Sequence, residues 1–330
     1  MNEQKYDGIY EKLPHPPSIF SFRRSGYNIF TTPNYEIYTD DLKIERDLPG
    51  QPHKGRVFAA IQPHIDDVPL YCAGLVAKLI KEGYTGYLIR VSSDDLGAGM
   101  SYGEGVMQNE IDNQRIAEVL GLKKAFSLYY TNHRMDGDPI LELKTRLLFL
   151  FKVLNVDTVI SFDPQNFFER NPDHVVTAEA VLRVCWVGTR KDFPELNKAG
   201  INGRAITDQY YYGMSPMGYH AVNRIVDISS VIDKKVEANV ANVGKGPAGI
   251  NGSRLRARLA KENKKLPILG NDDKTADFQY VKQLLMHDWK VFGEQFGLEY
   301  AEPYFWIGNE SENKPTVQDY IDENAVPLRS

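Results

Sequence analysis

The chain has 330 residues, of which 42% are hydrophobic, enough to bury the core of one large α/β domain. Its 44 acidic and 39 basic residues give a formal net charge of -5, which argues against a general nucleic-acid or anionic-membrane surface. A polar beginning, the lack of an apolar run of membrane-spanning length and two cysteines in apolar helical patterns predict a cytoplasmic protein.

We expect the predicted elements to form a single domain over residues 1–330, in three parts. Residues 1–54 are rich in Tyr, Phe, Pro and charge, and we expect an ordered N-terminal arm of short strands and turns. In residues 55–190 strand-like runs alternate with helical patterns, which predicts an α/β fold with a Rossmann-like, mostly parallel sheet flanked by helices. Strands are predicted at 57–63, 86–93, 125–130 and 156–162, and helices at 69–82, 105–120 and 139–154. Residues 191–330 form a C-terminal extension that we expect to complete the sheet and the substrate cleft.

A histidine and two aspartates follow the first strand of the predicted core. His64, Asp66 and Asp67 lie between the apolar run 57–61 and an apolar segment that begins near Pro69. Side chains at the carboxyl end of a buried strand converge on the crevice where open α/β sheets bind ligands, so His64 and Asp67 can share one cation. Taken alone, so short a motif more often caps the next helix, where its carboxylates face the positive N-terminal end.

A second histidine motif shifts this balance towards a metal site. Asn171-Pro172-Asp173-His174 follows the predicted strand 156–162 and precedes another apolar helical stretch. His174 therefore occupies a place equivalent to that of the first motif, at the same edge of the sheet. The two motifs predict a site with His64, Asp67 and His174 as ligands and a fourth position open for water, which is the catalytic form of a zinc or related divalent-metal site.

Two later segments are candidates for loops near that edge. Residues 210–219 are aromatic and rich in Gly and Pro, which is typical of either a substrate-stacking loop or an aromatic core cluster. Residues 244–254 are dense in glycine but match no phosphate-binding fingerprint, and we expect a flexible loop that acts as a lid.

The two motifs resemble those of the PIG-L/LmbE-like metal-dependent deacetylases. That family's first motif, His-Pro-Asp-Asp-Glu with a glycine six residues later, is similar to His64–Val68 with Gly74, and its second, His-Pro-Asp-His, is similar to Asn171–His174. Weaker marks extend the resemblance over residues 55–305: an acidic-glycine turn at Asp94–Gly97, Leu120-Gly121, Val226–Ile228 with Lys234, Lys235 and Ala238, and Tyr300–Tyr304.

The resemblance implies a zinc-dependent N-deacetylase that acts on N-acetylglucosamine-type amino sugars or their conjugates. It implies that His64, Asp67 and His174 hold Zn²⁺ or another divalent metal, and that Asp66 is the general base for the attacking water. The expected partner is a small-molecule N-acylated sugar or conjugate, with no nucleic acid and no membrane span.

Two departures from the family pattern bear directly on the chemistry. Val68 replaces a glutamate, which removes an acceptor behind the metal ligands. Asn171 replaces a histidine that stabilises the oxyanion or protonates the leaving group, and an amide donates a hydrogen bond but carries no proton. We therefore expect Asn171 to bind the oxyanion and His133, in the loop after the third strand, to supply the proton.

The predicted substrate contacts are Asp95, Asn109 and Asn132. Asp95 follows the second strand, Asn109 stands where the family has a sugar-contacting arginine, and Asn132 resembles an aspartate that binds sugar hydroxyls. Two alternatives stay open. One is hydrolysis of a different amide, because Asn109, Asn132 and Asn171 replace charged or titrating groups; the other is a non-catalytic metal- or sugar-binding member of the family. The presence of Asp66 argues against the second, since binding alone requires no base.

Overall fold

Eight strands of the described residues form one sheet. The computed structural model describes residues 36–95, 100–166, 169–187, 189, 192–213, 220–308 and 317–327. The strands are β1 (Glu36–Glu45), β2 (Val57–Gln62), β3 (Thr85–Ser92), β4 (Lys124–Tyr130), β5 (Thr158–Phe162), β6 (Asp208–Tyr212), β7 (His220–Asp227) and β8 (Ala301–Gly308). Their order is β1-β7-β8-β6-β5-β2-β3-β4. Only β8 runs antiparallel to its neighbours β6 and β7 in this described sheet. The predicted α/β fold with a mostly parallel sheet is confirmed.

The helices of the described residues lie on both faces of the sheet. They are α1 (Ala73–Lys81), α2 (Tyr102–Val119), α3 (Ile140–Leu154), α4 (Pro172–Val187), α5 (Pro194–Lys198), α6 (Ile232–Ala241), α7 (Asn251–Lys261), α8 (Asp273–Tyr280), α9 (His287–Glu294) and α10 (Val317–Asn324). A π-helical turn, Val68–Cys72, precedes α1. Within this described part of the chain, no helix combines the length and the apolar character that crossing a membrane requires.

Side chains of β2 alternate between two apolar layers, as the pleat of a strand requires. Phe58 and Ala60 lie in the cluster that includes the inner faces of α1, α2 and α6, whereas Ala59 and Ile61 lie in the cluster under α3 and α4. All four side chains are fully buried. A strand covered on both faces reads as a continuous apolar run, which is why the sequence identifies it.

The core elements lie within a few residues of their predicted bounds, and three segments differ. The predicted helix 69–82 is divided into the π-helical turn and α1. The first part of the glycine-dense segment is a loop, but residues 251–254 begin α7, so the prediction of a loop is wrong there. The predicted arm contributes a ten-residue edge strand, β1, which pairs with β7, whereas its residues 1–35 lie outside the described residues.

One fully buried ion pair fastens the start of α1 to the C-terminal part of the chain. Lys235 of α6 lies 2.6 Å from Glu302 of β8, and both side chains are completely buried. The carboxylate of Glu302 accepts hydrogen bonds from the backbone N–H groups of Gly74 (3.0 Å) and Leu75 (2.8 Å). Lys235 also donates to the carbonyl of Leu70 in the π-helical turn, at 2.7 Å. The pair thus satisfies helix-terminal groups that the apolar core would otherwise leave without partners.

The surroundings of this pair explain why the first residues of α1 are small. A Cβ atom at Gly74 would lie 2.6 Å from the side chain of Ile228 and 2.7 Å from the Glu302 carboxylate, so only glycine fits. The Trp289 ring centroid lies 4.4 Å from the Lys235 ammonium, and Tyr304 donates its hydroxyl to Glu302 at 2.6 Å. Residues far apart in sequence therefore meet at one point directly behind the first histidine motif.

We expect the substitution Lys235→Met to lower the free energy of unfolding by about 3–5 kcal/mol, because it leaves the Glu302 carboxylate buried without its counter-ion. The matched control is Lys234→Met at the next residue, whose side chain is about half exposed in its pair with Glu237 and whose loss costs about 0–1 kcal/mol. Urea denaturation followed by circular dichroism measures both. Equal stabilities of the two variants would contradict a dominant role for the buried pair.

Candidate metal centre

The first histidine motif lies in the loop that joins β2 to the π-helical turn. Two carboxylates fix its backbone, one from the motif itself and one from the loop after β3. The Asp67 carboxylate accepts the His64 N–H at 2.7 Å, and the Asp94 carboxylate accepts the Ile65 N–H at 3.0 Å. Asp94 holds a left-handed backbone conformation, with φ of 52°, which an aspartate tolerates better than most residues. It belongs to the predicted acidic-glycine turn, of which Leu96 and Gly97 lie outside the described residues.

The second motif forms the start of α4. The side-chain oxygen of Asn171 accepts the backbone N–H of Asp173 at 3.1 Å, which caps the first turn of the helix. The cap places Asp173 and His174 on the buried side of that turn, at the carboxyl edge of the sheet. The carbonyl side of the Asn171 amide is thereby engaged in local structure.

His64, Asp67 and His174 come together in one buried cluster. His64 Nδ1 lies 3.0 Å from His174 Nε2, and the Asp67 carboxylate oxygens lie 3.5 Å from each of these two nitrogens. The ligand atoms all lie within 4.8 Å of one another, and each residue is at most 4% exposed. Two imidazole nitrogens and one carboxylate facing a common point are a donor set suited to zinc and related divalent ions.

A carboxylate lies behind each of the two imidazole rings. His64 Nε2 lies 3.0 Å from the Asp173 carboxylate, which also accepts backbone N–H groups from His133 (2.7 Å) and Met135 (3.3 Å). On the far side of the cluster, His174 Nδ1 lies 3.2 Å from Glu169. Sequence reasoning gave neither Asp173 nor Glu169 a role, although the position of Asp173 directly before His174 in the second motif was a usable signal.

The charges in this cluster shift the pKa values of its ionisable groups in different directions. Burial opposes the charged form of His64, but the Asp173 and Asp67 carboxylates raise the pKa of His64 to about 9. Burial and the neighbouring Asp67 carboxylate together raise the pKa of Asp66. Burial also acts on Asp67, but the two histidines hold the pKa of Asp67 below its usual value. The two adjacent carboxylates thus differ in proton affinity: the surroundings of Asp67 favour its ionised form, and those of Asp66 increase its affinity for a proton.

The loop after α6 covers Asp66. Backbone N–H groups of Val243 and Gly244 both donate to the Asp112 carboxylate, at 2.8 and 2.7 Å, and Lys245 forms an ion pair with Asp94. A Cβ atom at Gly246 would lie 2.9 Å from the Asp66 carboxylate. The glycine-dense sequence therefore serves close contact with Asp66, and polar anchors fix this part of the loop.

His133 lies beside the cluster, and Asn132 precedes it in the chain. The His133 ring meets that of His64 edge to face, with centroids 5.5 Å apart, and its side chain is exposed. Asn132 is 2% exposed, and neither atom of its side-chain amide has a hydrogen-bond partner. An unsatisfied buried amide is the kind of group that a ligand can satisfy.

The other predicted substrate residues have partners within the protein. Asn109 is 1% exposed and donates its amide to the carbonyl of Asp94 at 2.6 Å, so it supports the loop beneath the first motif. Asp95 is 7% exposed and accepts the Ser93 hydroxyl at 3.0 Å. Of the aromatic segment, Tyr210, Tyr211 and Tyr212 are buried in β6, which fits the core alternative, and residues 214–219 lie outside the described residues.

Comparison with solved structures identifies the same fold in several proteins. N,N'-diacetylchitobiose deacetylase from Pyrococcus horikoshii is 19% identical, with a TM-score of 0.58, over 81% of this chain and 89% of that chain. The conserved protein TT1542 from Thermus thermophilus is 20% identical, with a TM-score of 0.53, over 75% and 92% of the two chains. GalB, the 4-carboxy-2-hydroxymuconate hydratase from Pseudomonas putida KT2440, is 13% identical, with a TM-score of 0.53, over 76% and 95%. At these identities the similarity shows the fold.

The sequence of the core matches one family model. Residues 59–185 match the model of the PIG-L family, described as GlcNAc-PI de-N-acetylase. The matched segment includes both histidine motifs and ends within α4, so it contains the whole buried cluster. The core of the chain is therefore similar in sequence to the PIG-L family of deacetylases.

Proposed function

We propose that this protein is a metal-dependent hydrolase that removes the acetyl group from an N-acetylated amino sugar or its conjugate. The observation that carries the proposal is the buried cluster of His64, Asp67 and His174 with Asp66 beside it, inside a PIG-L domain. A chitobiose deacetylase with the same fold supports the substrate class.

The metal site is proposed at the common point of the three clustered side chains. His64 through Nδ1, His174 through Nε2 and Asp67 through its carboxylate would hold Zn²⁺ or another divalent cation. A cation held there would supply Lewis acidity, which lowers the pKa of water towards neutrality and polarises an amide carbonyl. The raised pKa of His64 supports the site, because the same carboxylates that favour a proton there also favour a metal cation.

Asp66 is the proposed general base. It lies next to Asp67, its pKa is raised by burial and by that neighbour, and it does not belong to the ligand cluster. A carboxylate with increased proton affinity takes a proton from the attacking water more readily than an ordinary aspartate. The same side chain can then return that proton to the departing amine.

Two further groups act on the substrate in this proposal. The amide nitrogen of Asn171 would donate to the acetamide oxygen, which is compatible with the cap that its side-chain oxygen makes on α4. Asn132 would hydrogen-bond a sugar hydroxyl and so satisfy its buried amide. Asp95 is a further proposed contact at the same edge, whereas the internal hydrogen bond of Asn109 gives it a supporting role.

The two alternatives make different demands on the same residues. Hydrolysis of a different amide is favoured by Asn171, since a neutral amide replaces a titrating histidine next to the scissile bond. A non-catalytic binding member is disfavoured by the raised pKa of Asp66, which serves proton transfer and contributes nothing to ligation. A panel of N-acetylated sugars and simple N-acyl amines distinguishes them.

The first prediction concerns the base. We expect Asp66→Asn to retain its zinc and to lower kcat by about 10²–10⁴-fold, because the amide cannot accept a proton from water. Asp67→Asn is the matched comparison: the same chemical change one residue later removes a metal ligand, so zinc content falls together with activity. Acetate release and elemental analysis on the same preparations measure both effects. An Asp66→Asn protein with full activity would refute the assignment.

The second prediction concerns the proton donor. We propose that His133 shares protonation of the amine with Asp66, and we expect His133→Asn to lower kcat by about 10²-fold with zinc content unchanged. Asparagine is chosen because it tolerates the left-handed backbone of this position, where φ is 56°. His287→Asn, on the exposed start of α9, is the control. Undiminished turnover in the His133 variant would exclude the role.

A further inference from the structure

Glu169 is a buried carboxylate that the proposed reaction does not use. Its side chain and that of His174 are each 4% exposed, and Glu169 Oε2 lies 3.2 Å from His174 Nδ1. This nitrogen is on the side of the ring away from His64, because His174 Nε2 is the atom that lies 3.0 Å from His64 Nδ1. Glu169 therefore lies behind the ligand, where it can act on the ring and not on a substrate.

The two facing atoms are both without hydrogen-bond partners. Glu169 Oε2 and His174 Nδ1 are buried, and neither makes a hydrogen bond despite their 3.2 Å separation, so only the direction of the N–H bond is unfavourable. Buried polar atoms in folded proteins are almost always paired. At this separation the two atoms complement each other in charge and hydrogen-bonding type.

Both partners are held in place by independent contacts. The second oxygen of Glu169 accepts the backbone N–H of Asn171 at 2.8 Å, and the Glu169 N–H donates to the carbonyl of Asn166 at 3.1 Å. The His174 ring stacks on Phe162, with centroids 4.1 Å apart and planes inclined by 16°. These contacts hold the carboxylate and the imidazole ring facing each other at a separation of 3.2 Å.

We propose that Glu169 is a positioning residue that keeps the proton of His174 on Nδ1 and thereby presents the lone pair of Nε2 to a metal ion. The inference rests on the metal site of the proposed function. It gives His174 the same support that Asp173 gives His64 at 3.0 Å, so each imidazole ligand has its own carboxylate. A carboxylate behind a histidine ligand fixes the ring and its tautomer and increases its affinity for the metal.

The test is the zinc affinity of metal-stripped protein, measured by competition with a chelator. We expect Glu169→Gln to bind Zn²⁺ about 10–100-fold more weakly than the wild type. Glu179→Gln is the matched control, because the same change on α4 affects a side chain that is 38% exposed and paired with Arg183 at 2.8 Å. Thermal unfolding of the metal-free proteins is measured in parallel, and the midpoint of Glu169→Gln should stay close to that of the control, which a purely structural role would not allow.

If Glu169→Gln does not fold, a spectroscopic measurement on the wild type still tests the inference. Histidine ¹⁵N–¹H NMR of zinc-loaded protein should show a proton on Nδ1 of His174, and a proton on Nε2 would overturn the inference. Equal zinc affinity in wild type and Glu169→Gln would also overturn it and leave the metal site intact. A wild type that binds no zinc would instead remove the metal site, and this role with it.

Discussion

The buried pair of Lys235 and Glu302 is the interaction on which the rest of the structure depends. Two charges in a core lower the stability unless both are paired and hydrogen-bonded. Here the carboxylate accepts hydrogen bonds at the start of α1, and the ammonium donates one to the π-helical turn before it. That turn begins one residue after Asp67. The turn that follows the first histidine motif is therefore held by side chains from α6 and β8, which belong to the C-terminal part of the chain and lie outside the segment that matches the family.

The chemistry of the centre follows from an excess of buried negative charge. Asp67 faces both imidazole rings, Asp173 and Glu169 lie behind them, and Asp66 lies alongside. Such a cluster is stable only with positive charge inside it, supplied by protons or by a metal ion. The opposite pKa shifts of Asp66 and Asp67 show that the cluster distinguishes two adjacent and chemically identical side chains by their surroundings.

The sequence was sufficient for the core of the fold and for the three clustered residues. Strands such as β2 and β5 are continuous apolar runs because both faces are covered, and parallel strands bring their following loops to one edge. That rule alone brings His64 and His174 together across 110 positions. Strands β6, β7 and β8 were not predicted, because they lie in the part of the chain where the alternation of strand-like and helical patterns weakens.

What the sequence could not supply are contacts that depend on side-chain direction. The sequence did not reveal that the side-chain oxygen of Asn171 caps α4. Nor did it reveal that the amide of Asn109 donates to the carbonyl of Asp94. The loop that covers Asp66 is anchored by a hydrogen bond from Val243 to Asp112, 131 positions earlier in the chain. No local sequence pattern predicts such a contact.

The most direct measurement is acetate release from N-acetylglucosamine by metal-stripped protein while Zn²⁺ is added back, with bound zinc determined at each step. We expect activity to rise in proportion to bound zinc until about one ion is bound per chain, and the His64→Ala/His174→Ala variant neither to bind zinc nor to release acetate. Failure of the wild type to bind zinc after reconstitution, or full activity without metal, would contradict a metal-dependent deacetylase at this site.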